Sequence, residues 1–132
     1  MIAEDIAEII HDPDGPASLC NVEAPDAEPR PVRMIARPSY GSVLDPRNRL
    51  LAWADTANMP RGADWGYGLM LAADAPEGMT ETTSFSVVDG TGRRWRVEAA
   101  RPVLETEQES GALRAVAWRL ALRGTQRAVR GK

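Results

Sequence analysis

Residues 84–97 read SFSVVDGTGRRWRV, and this stretch decides the fold. Two runs in which apolar and polar residues alternate flank the tetrapeptide DGTG at 89–92. Glycine and aspartate tolerate the positive φ angles of a tight turn, and an alternation with a period of two is typical of a strand with one buried face. We therefore predict a β-hairpin, with strands at 84–88 and 94–99.

Other short strand-like runs lie on both sides of this hairpin, separated by proline, glycine and aspartate. They are 18–22, 32–37, 50–54, 69–73 and 113–123. In the last run the residues alternate so that one face of the strand is expected to pack on the core and the other to be exposed to solvent. The predicted packed face is Val116, Trp118, Leu120 and Leu122. The predicted solvent face is Arg119, Ala121 and Arg123. The pattern indicates a mainly β domain.

The chain begins with isoleucines at the spacing of one helical stripe, i, i+4, i+7 and i+8. They are Ile2, Ile6, Ile9 and Ile10. The prolines at 13 and 16 end the pattern, since proline cannot donate to a helical ladder. We predict an α-helix at 2–10. Because so short a helix is marginal alone, its isoleucines must dock either on the rest of the domain or on a neighbouring subunit.

Composition bounds the class of protein. The 132 residues, 43% of them apolar, suit one domain with its own core. We predict that domain at 1–123 and a basic tail at 124–132. No apolar run approaches the ~20 residues of a membrane-spanning helix, so no membrane partner is expected. The net charge of −3 argues against a dedicated nucleic-acid-binding domain.

Charge is polarised along the chain. Residues 1–30 carry a net charge of −7, whereas residues 114–132 hold six bases and no acid. Either these are ordinary solvated faces, or the two ends of the chain meet partners of opposite sign. The tail is expected to be disordered when free and able to lie against phosphate or an acidic protein surface. Its candidate binding residues are Arg123, Arg127, Arg130 and Lys132.

The stretch 41–67 carries weak strand signals but several aromatic residues. A loop this long inside a small domain is usually functional or mobile, so it is a candidate contact arm. The alternative is that Trp53 and Trp65 cap one end of the domain.

We find no set of residues that predicts catalysis, a metal or a cofactor. His11 is the only histidine and lies at a predicted helix end, where a protonated ring suits the helix dipole. Cys20 is the only cysteine, which excludes an internal disulfide and a zinc site built from several thiolates. The turn at 89–92 lacks the lysine of a phosphate-binding loop, and the acidic run 105–109 lacks the spacing of a calcium loop.

The order of these features resembles a known family. The sequence has MIAEDI at 1–6, VRMIARPSY at 32–40, a strand at 69–73 running into 74–78, the hairpin, and an alternating strand that leads into a basic tail. This order is similar to that of the small head–tail joining proteins of long-tailed bacteriophages. These form the head-closure or stopper family, with relatives in prophages and gene transfer agents. The likeness covers most of residues 1–123, although 41–67 is longer than the family's usual connection.

The resemblance implies a small antiparallel β-barrel with a short N-terminal α-helix and a long inserted loop. It implies a homo-oligomeric ring, a hexamer by family analogy, at the head–tail junction of a virion assembled in the host cytoplasm. The expected partners are the portal or adaptor protein on one side and the tail terminator or tail tube protein on the other. The ring would help to retain packaged DNA and would offer the tail its attachment surface.

By the same analogy three segments are candidate sites. The loop would face a neighbouring ring or the channel, with non-specific contact between its arginines and packaged DNA. Its candidate residues are Arg47, Arg49, Trp53, Arg61 and Trp65. The tail would order against a partner, and the isoleucine helix would dock on the barrel or an adjacent subunit.

Two other readings remain open. A tail terminator or another small tail protein is the near alternative. A monomeric β-barrel that binds a small ligand or peptide through Trp53, Trp65 and Tyr67 belongs to a different class. An enzyme whose site forms only in three dimensions is the least favoured.

Overall fold

A computed structural model describes residues 2–38 and 64–125. Within them one helix precedes six strands, and a 3₁₀ turn at Ala72–Asp74 follows the third strand. The helix is α1, Ile2–His11, which confirms the prediction of a short N-terminal helix. The strands are β1 Ser18–Glu23, β2 Arg30–Pro38, β3 Trp65–Leu71, β4 Ser86–Val88, β5 Arg94–Thr106 and β6 Leu113–Gly124.

The six strands form a closed antiparallel barrel in the order β1-β2-β3-β6-β5-β4, with β4 pairing back to β1. This confirms the prediction of a small antiparallel β-barrel. Because every pair is antiparallel, the connections alternate between the two ends. Connections 24–29, 72–85 and 107–112 lie at one end, which we call the three-loop end. The chain leaves β6 at the other end, which we call the exit end.

The hairpin predicted at 84–97 is present as β4 and β5, joined by a turn at 89–93. The backbone N–H of Asp89 donates to the carbonyl of Arg93 at 2.8 Å, and Gly92 takes a φ of 90°. Asp89 Oδ1 accepts hydrogen bonds from both the backbone N–H and the hydroxyl of Thr91, at 2.9 and 2.6 Å. The aspartate therefore holds the turn with its own side chain.

The barrel interior is filled by side chains from all six strands, and Trp95 is the largest of the fully buried ones. It fits because β3 carries glycine opposite it. A Cβ at Gly66 would lie 2.6 Å from the carbonyl oxygen of Arg37 and 2.9 Å from the ring of Trp95. Gly68 makes room for Leu120 in the same way, since a Cβ there would lie 3.2 Å from its side chain. The two glycines leave the space that the large side chains opposite occupy.

Helix α1 packs on the outside of the barrel, against β2, β3 and β6. Ile10 is fully buried there in a small apolar cluster with Ala17 and Ile35. Side chains of the barrel form hydrogen bonds with both ends of the helix. Arg33 Nε donates to the carbonyl of Ile10 at 2.8 Å, and Glu105 Oε1 accepts from the backbone N–H of Ala3 at 3.0 Å.

Several predicted bounds are wrong. Residues 65–67 of the predicted loop 41–67 belong to β3, which occupies 65–71 and not 69–73, and residues 41–63 of that loop lie outside the described residues. Gly66 and Gly68 are interior positions of β3. The strand predicted at 94–99 continues to Thr106. The predicted strand 50–54 lies outside the described residues.

The two faces predicted for the last strand are correct only in part. Trp118, Leu120 and Leu122 do face the core. Val116 is buried as well, but it is the extra residue of an irregularity where the partner of Val103 is Ala117 and that of Leu104 is Ala115. Ala121 faces outward yet is fully buried, and β6 is one of the strands that α1 contacts. Helix α1 therefore covers part of the β6 face that the alternating sequence pattern predicts to be exposed to solvent.

Candidate interaction surfaces

The predicted site residues fall into three groups. Seven lie outside the described residues: Arg47, Arg49, Trp53, Arg61, Arg127, Arg130 and Lys132. Trp65, predicted to be a loop residue, is instead in β3 and only 6% exposed. Its indole Nε1 is buried and has no acceptor among the residues described. Arg123 is in β6, where its Nε lies 3.1 Å from Glu98 Oε2.

The isoleucine stripe divides between the barrel and the solvent. Ile10 is buried and Ile6 packs beside it, so these two dock on the barrel of their own chain. Ile2 and Ile9 stay 47% and 45% exposed. The helix therefore uses one half of its apolar stripe for folding.

A cluster at the exit end joins the start of β3 to the end of β6. The backbone N–H of Gly124 donates to the carbonyl of Asp64 at 2.8 Å, and the Arg93 guanidinium donates to Asp64 Oδ2 at 2.9 Å. The same guanidinium lies 4.3 Å from the centre of the Trp95 ring, a cation–π contact. The start of β3 and the end of β6 are therefore adjacent. Segment 39–63, which leads into β3, and segment 126–132, which follows β6, are attached to the barrel at neighbouring points. No sequence pattern indicated this proximity.

Asp89 is a buried carboxylate in the turn of the β4–β5 hairpin. Its Oδ2 accepts from Trp95 Nε1 at 2.9 Å, and its Oδ1 accepts from the backbone N–H of Arg93 at 3.0 Å. Burial acts to raise its pKa, but the hydrogen bonds from Thr91, Trp95 and Arg93 outweigh that and hold the pKa below the ordinary value of 3.8. The ionised carboxylate therefore has a structural role, because its hydrogen bonds hold the hairpin turn.

The lowered pKa of Asp89 predicts a pH dependence. Its ionised form adds stability that is present above pH 3.8 and is lost as the pH falls through the lower folded-state value. Asp89→Asn should lower the free energy of unfolding at pH 7 by about 1–3 kcal/mol. It should also lose less of its remaining stability than the wild type on acidification below pH 4. Urea denaturation at several pH values measures both effects.

The control for that experiment is Asp26→Asn, which removes an exposed carboxylate at a φ of 61° that asparagine also accepts. This variant should follow the wild-type pH profile. If Asp89→Asn also followed it, the hydrogen-bonded carboxylate would not be the acid-sensitive group.

Cys20 is buried in the barrel core. Burial raises the pKa of its thiol, the nearby Asp89 charge raises it further, and a hydrogen bond with Ser18 opposes both. The thiol is therefore protonated at neutral pH, which disfavours nucleophilic chemistry. Within 2–38 and 64–125, no three histidine, cysteine or acidic side chains are grouped so that they could hold a metal ion.

The three-loop end is strongly acidic. Its connections carry seven carboxylates and no lysine, arginine or histidine. These acids are Asp26, Glu28, Asp74, Glu77, Glu81, Glu107 and Glu109. They come from three separate parts of the chain, so the fold gathers at one end charges that the sequence spreads over 84 residues.

The outer face of β5 and β6 is basic. Arg96 is paired with Arg123 across the two strands, and Arg101 is paired with Arg119. We call these four residues the arginine wall. Like charges directly opposite one another in a sheet are destabilising. Glu98, at an irregularity beside Arg123, forms an ion pair with that arginine.

The β5–β6 pair extends beyond the barrel at the three-loop end, and we call residues 104–113 the hairpin arm. In the hairpin arm, the face of β5 and β6 that points into the core elsewhere in the barrel remains apolar. Leu104 is paired with Ala115, which packs on the core, and Leu113 is two residues further along the same face. Leu104 is 45% exposed and Leu113 65%. The arm thus combines exposed leucines with the carboxylates of Glu107 and Glu109.

Within 2–38 and 64–125, no helix has both the length and the apolar character needed to cross a membrane. Comparisons of this chain with protein-family models, with curated proteins and with solved structures found no match.

Proposed function

We propose that this chain is a structural protein of the phage neck, a head-closure or stopper subunit. Copies of it form a ring between the portal or adaptor complex and the tail, help to retain packaged DNA and provide the surface to which the tail attaches. The resemblance in the order of helix, strands and hairpin motivates this role. The small closed barrel with an N-terminal helix is the architecture that the resemblance implies.

The observation that carries the proposal is the placement of opposite charges on one subunit. The three-loop end is acidic, and the arginine wall lies on the side of the barrel. Contacts in which one patch meets a different patch on the next copy generate rings when the rotation closes. Opposite charges across such a joint fix its register and its partners.

The polar groups inside the fold favour a structural role over catalysis. The carboxylate of Asp89 accepts hydrogen bonds from the turn and from Trp95 of its own hairpin. Arg33 and Glu105 serve the ends of α1. These side chains hold the barrel and its helix together.

The two basic segments supply the remaining contacts in this proposal. Residues 39–63 and 126–132 are attached side by side at the exit end, and they carry six of the chain's bases. We place the exit end toward the portal or adaptor and the packaged DNA. The opposite, three-loop end is then available to tail proteins.

The test is assembly with the neighbours encoded beside this chain. The purified protein should bind the portal–adaptor complex, and particles made without it should lose packaged DNA and carry no tails. Deleting residues 126–132 should leave the circular dichroism spectrum unchanged, since β6 ends at Gly124 and Thr125 still donates to the carbonyl of Arg94, and should lower the yield of complexes.

Three outcomes would contradict the proposal. Failure of the full chain to bind the complex would count against a neck role. Full DNA retention with abnormal tail lengths would indicate a tail terminator instead. A tight complex with a small ligand or peptide, and none with virion proteins, would indicate the monomeric binding module.

A further inference from the structure

We infer that the hairpin arm is the point at which the phage tail attaches, and that its apolar face binds a segment of a tail protein that is both apolar and basic. The inference rests on the proposed function, because it names the surface and the partner chemistry by which the ring would hold the tail. It concerns described residues only, on β5, β6 and the connection between them.

The arm projects beyond the barrel wall. Ala117 is the last residue of β6 that pairs with β3, and Leu113 lies four residues beyond it. Since a strand rises about 3.3 Å per residue and Val116 is an extra residue at an irregularity, the arm reaches roughly 10 Å past the β3–β6 pair. In the part of the chain that the structure describes, β5 beyond Val97 pairs with β6 alone.

The outer face of the arm is already bound within the molecule. Glu105 Oε1 accepts a hydrogen bond from the backbone N–H of Ala3 at 3.0 Å, and Glu105 Oε2 lies 3.9 Å from Arg114 on the paired strand. The charge of Glu105 is therefore satisfied by α1 and by Arg114. These contacts brace the arm and leave its other face for a partner.

That other face is apolar and uncovered. Leu104 is paired with Ala115 and Thr106 with Leu113, so these four side chains share one face. Both leucines are exposed, although the same face is filled with core side chains inside the barrel. A two-stranded ribbon is marginally stable alone and gains stability when its apolar face is covered. The arm thus carries apolar surface that the single subunit leaves unused.

The tip of the arm is preformed. The backbone N–H of Glu107 donates to the carbonyl of Ala112 and that of Gly111 donates to the carbonyl of Glu107, both at 2.8 Å. The hydroxyl of Ser110 donates to Glu107 Oε1 at 2.8 Å. Because these bonds exist before a partner arrives, less conformational entropy is lost on binding.

The apolar face has an anionic rim. Glu107 and Glu109 lie at the tip of the arm, and the other two connections of the three-loop end add five carboxylates and no base. Charges at the rim of a contact select the partner and guide its approach, while the apolar centre supplies affinity. A segment with Lys or Arg side chains around apolar residues complements both features.

Neither nucleic acid nor a second copy meets these requirements. The carboxylates of the three-loop end would repel a polyanion. Copies in one ring stand side by side, so their arms project from one face of the ring and repel one another. The bases of segments 39–63 and 126–132 belong to the exit end, on the opposite face of such a ring. The component beyond the three-loop end is the tail, which is therefore the occupant.

Particles made with variant chains test this contact. The arm variant combines Leu104→Ser with Leu113→Ser, and the matched control is Leu19→Ser, which removes a leucine 63% exposed at the start of β1. Particles lacking the native chain are supplied with each variant, and their heads are mixed with purified tails of the same phage. The arm variant should retain DNA and keep the wild-type urea midpoint, but should join tails at least about tenfold less efficiently. The control should join tails like the wild type.

A single charge reversal tests the rim. Glu109→Arg leaves the hydrogen bond between Ser110 and Glu107 in place, and Glu8→Arg on the exposed side of α1 is its matched control. Glu109→Arg should lower tail joining about three- to fivefold at low salt and less at high salt, because salt screens exposed charges. Glu8→Arg should join tails like the wild type at both salt concentrations.

A cross-link identifies the occupant. Leu113→Cys can be labelled with a benzophenone maleimide, since the native Cys20 is buried. After tails have joined, irradiation should link the arm to a tail protein, within a segment that has Lys or Arg beside apolar residues. A link to a second copy of this chain, to DNA, or to a tail segment without bases would overturn the inference.

Two further results would count against the arm. One is normal tail joining by the arm variant. The other is loss of packaged DNA by an arm variant that keeps the wild-type urea midpoint, because the arm would then act within the ring or against the portal. The proposed function fails by a different result, in which the wild-type chain restores neither DNA retention nor tails, and the contact falls with it.

Discussion

Replacing Trp95 with alanine is expected to lower the free energy of unfolding by about 3–5 kcal/mol. The indole is fully buried, and its ring packs on the bare backbone of Gly66. No side chain at position 66 can fill the space that the indole leaves. The variant also removes the hydrogen bond to Asp89 and the surface on which Arg93 stacks. Equilibrium urea unfolding followed by far-ultraviolet circular dichroism measures the loss.

Trp95→Phe is the matched control for this experiment. It keeps an aromatic ring in the core but cannot donate to Asp89, so we expect a smaller loss of about 1–3 kcal/mol, set by the unpaired carboxylate oxygen. Equal losses for the alanine and phenylalanine variants would show that the hydrogen bond matters more than the packing. A loss below 1 kcal/mol in both would contradict this description of the core.

Replacing Ile10 with alanine is expected to cost about 2–5 kcal/mol, while Ile9→Ala should cost less than about 0.5 kcal/mol. The two residues are neighbours of the same type on one helix. Ile10 is fully buried against Ala17 and Ile35, whereas Ile9 is 45% exposed. The two substitutions have the same effect on helix propensity, so their difference isolates docking. Thermal or urea unfolding of both variants gives that difference.

The reverse order of effects would mean that α1 docks through its other flank. If Ile9→Ala left stability unchanged but reduced binding to a partner, the exposed half of the stripe would be an additional interaction surface. Equal small effects would show that the helix adds little to the stability of the barrel.

The local parts of this fold follow from the sequence. The β4–β5 hairpin is predictable because Asp89 and Gly92 are the residue types that a tight turn needs. Helix α1 is predictable because its isoleucines keep helical spacing and prolines end it. In both cases the signal lies within about a dozen neighbouring residues.

Features that depend on contacts between distant residues were missed. The sequence places residues 65–67 of β3 in a loop, because Gly66 is explained only by Trp95 on another strand. The cap of α1 by Arg33 joins residues 23 positions apart, and the contact of Asp64 with Gly124 joins residues 60 apart. Such pairs leave no periodic pattern in one sequence.

The sequence did not predict the candidate surfaces that the fold assembles. The polarity between an acidic beginning and a basic end of the chain is clear from the sequence. The barrel, however, draws the carboxylates of its acidic end from residues 26 to 109 and aligns arginines of β5 with arginines of β6. Charge counting along a chain cannot show which loops share an end or which residues face one another.

The tight fit between Gly66 and Trp95 constrains how this protein can diverge. A side chain at position 66 would meet both the Trp95 ring and the backbone carbonyl of Arg37, and a smaller residue at position 95 would relieve only the first of these contacts. Glycine should therefore persist at position 66 in any descendant or ancestor of this chain that keeps the pairing of β2 with β3. A smaller residue at position 95 would leave a void that position 66 cannot fill.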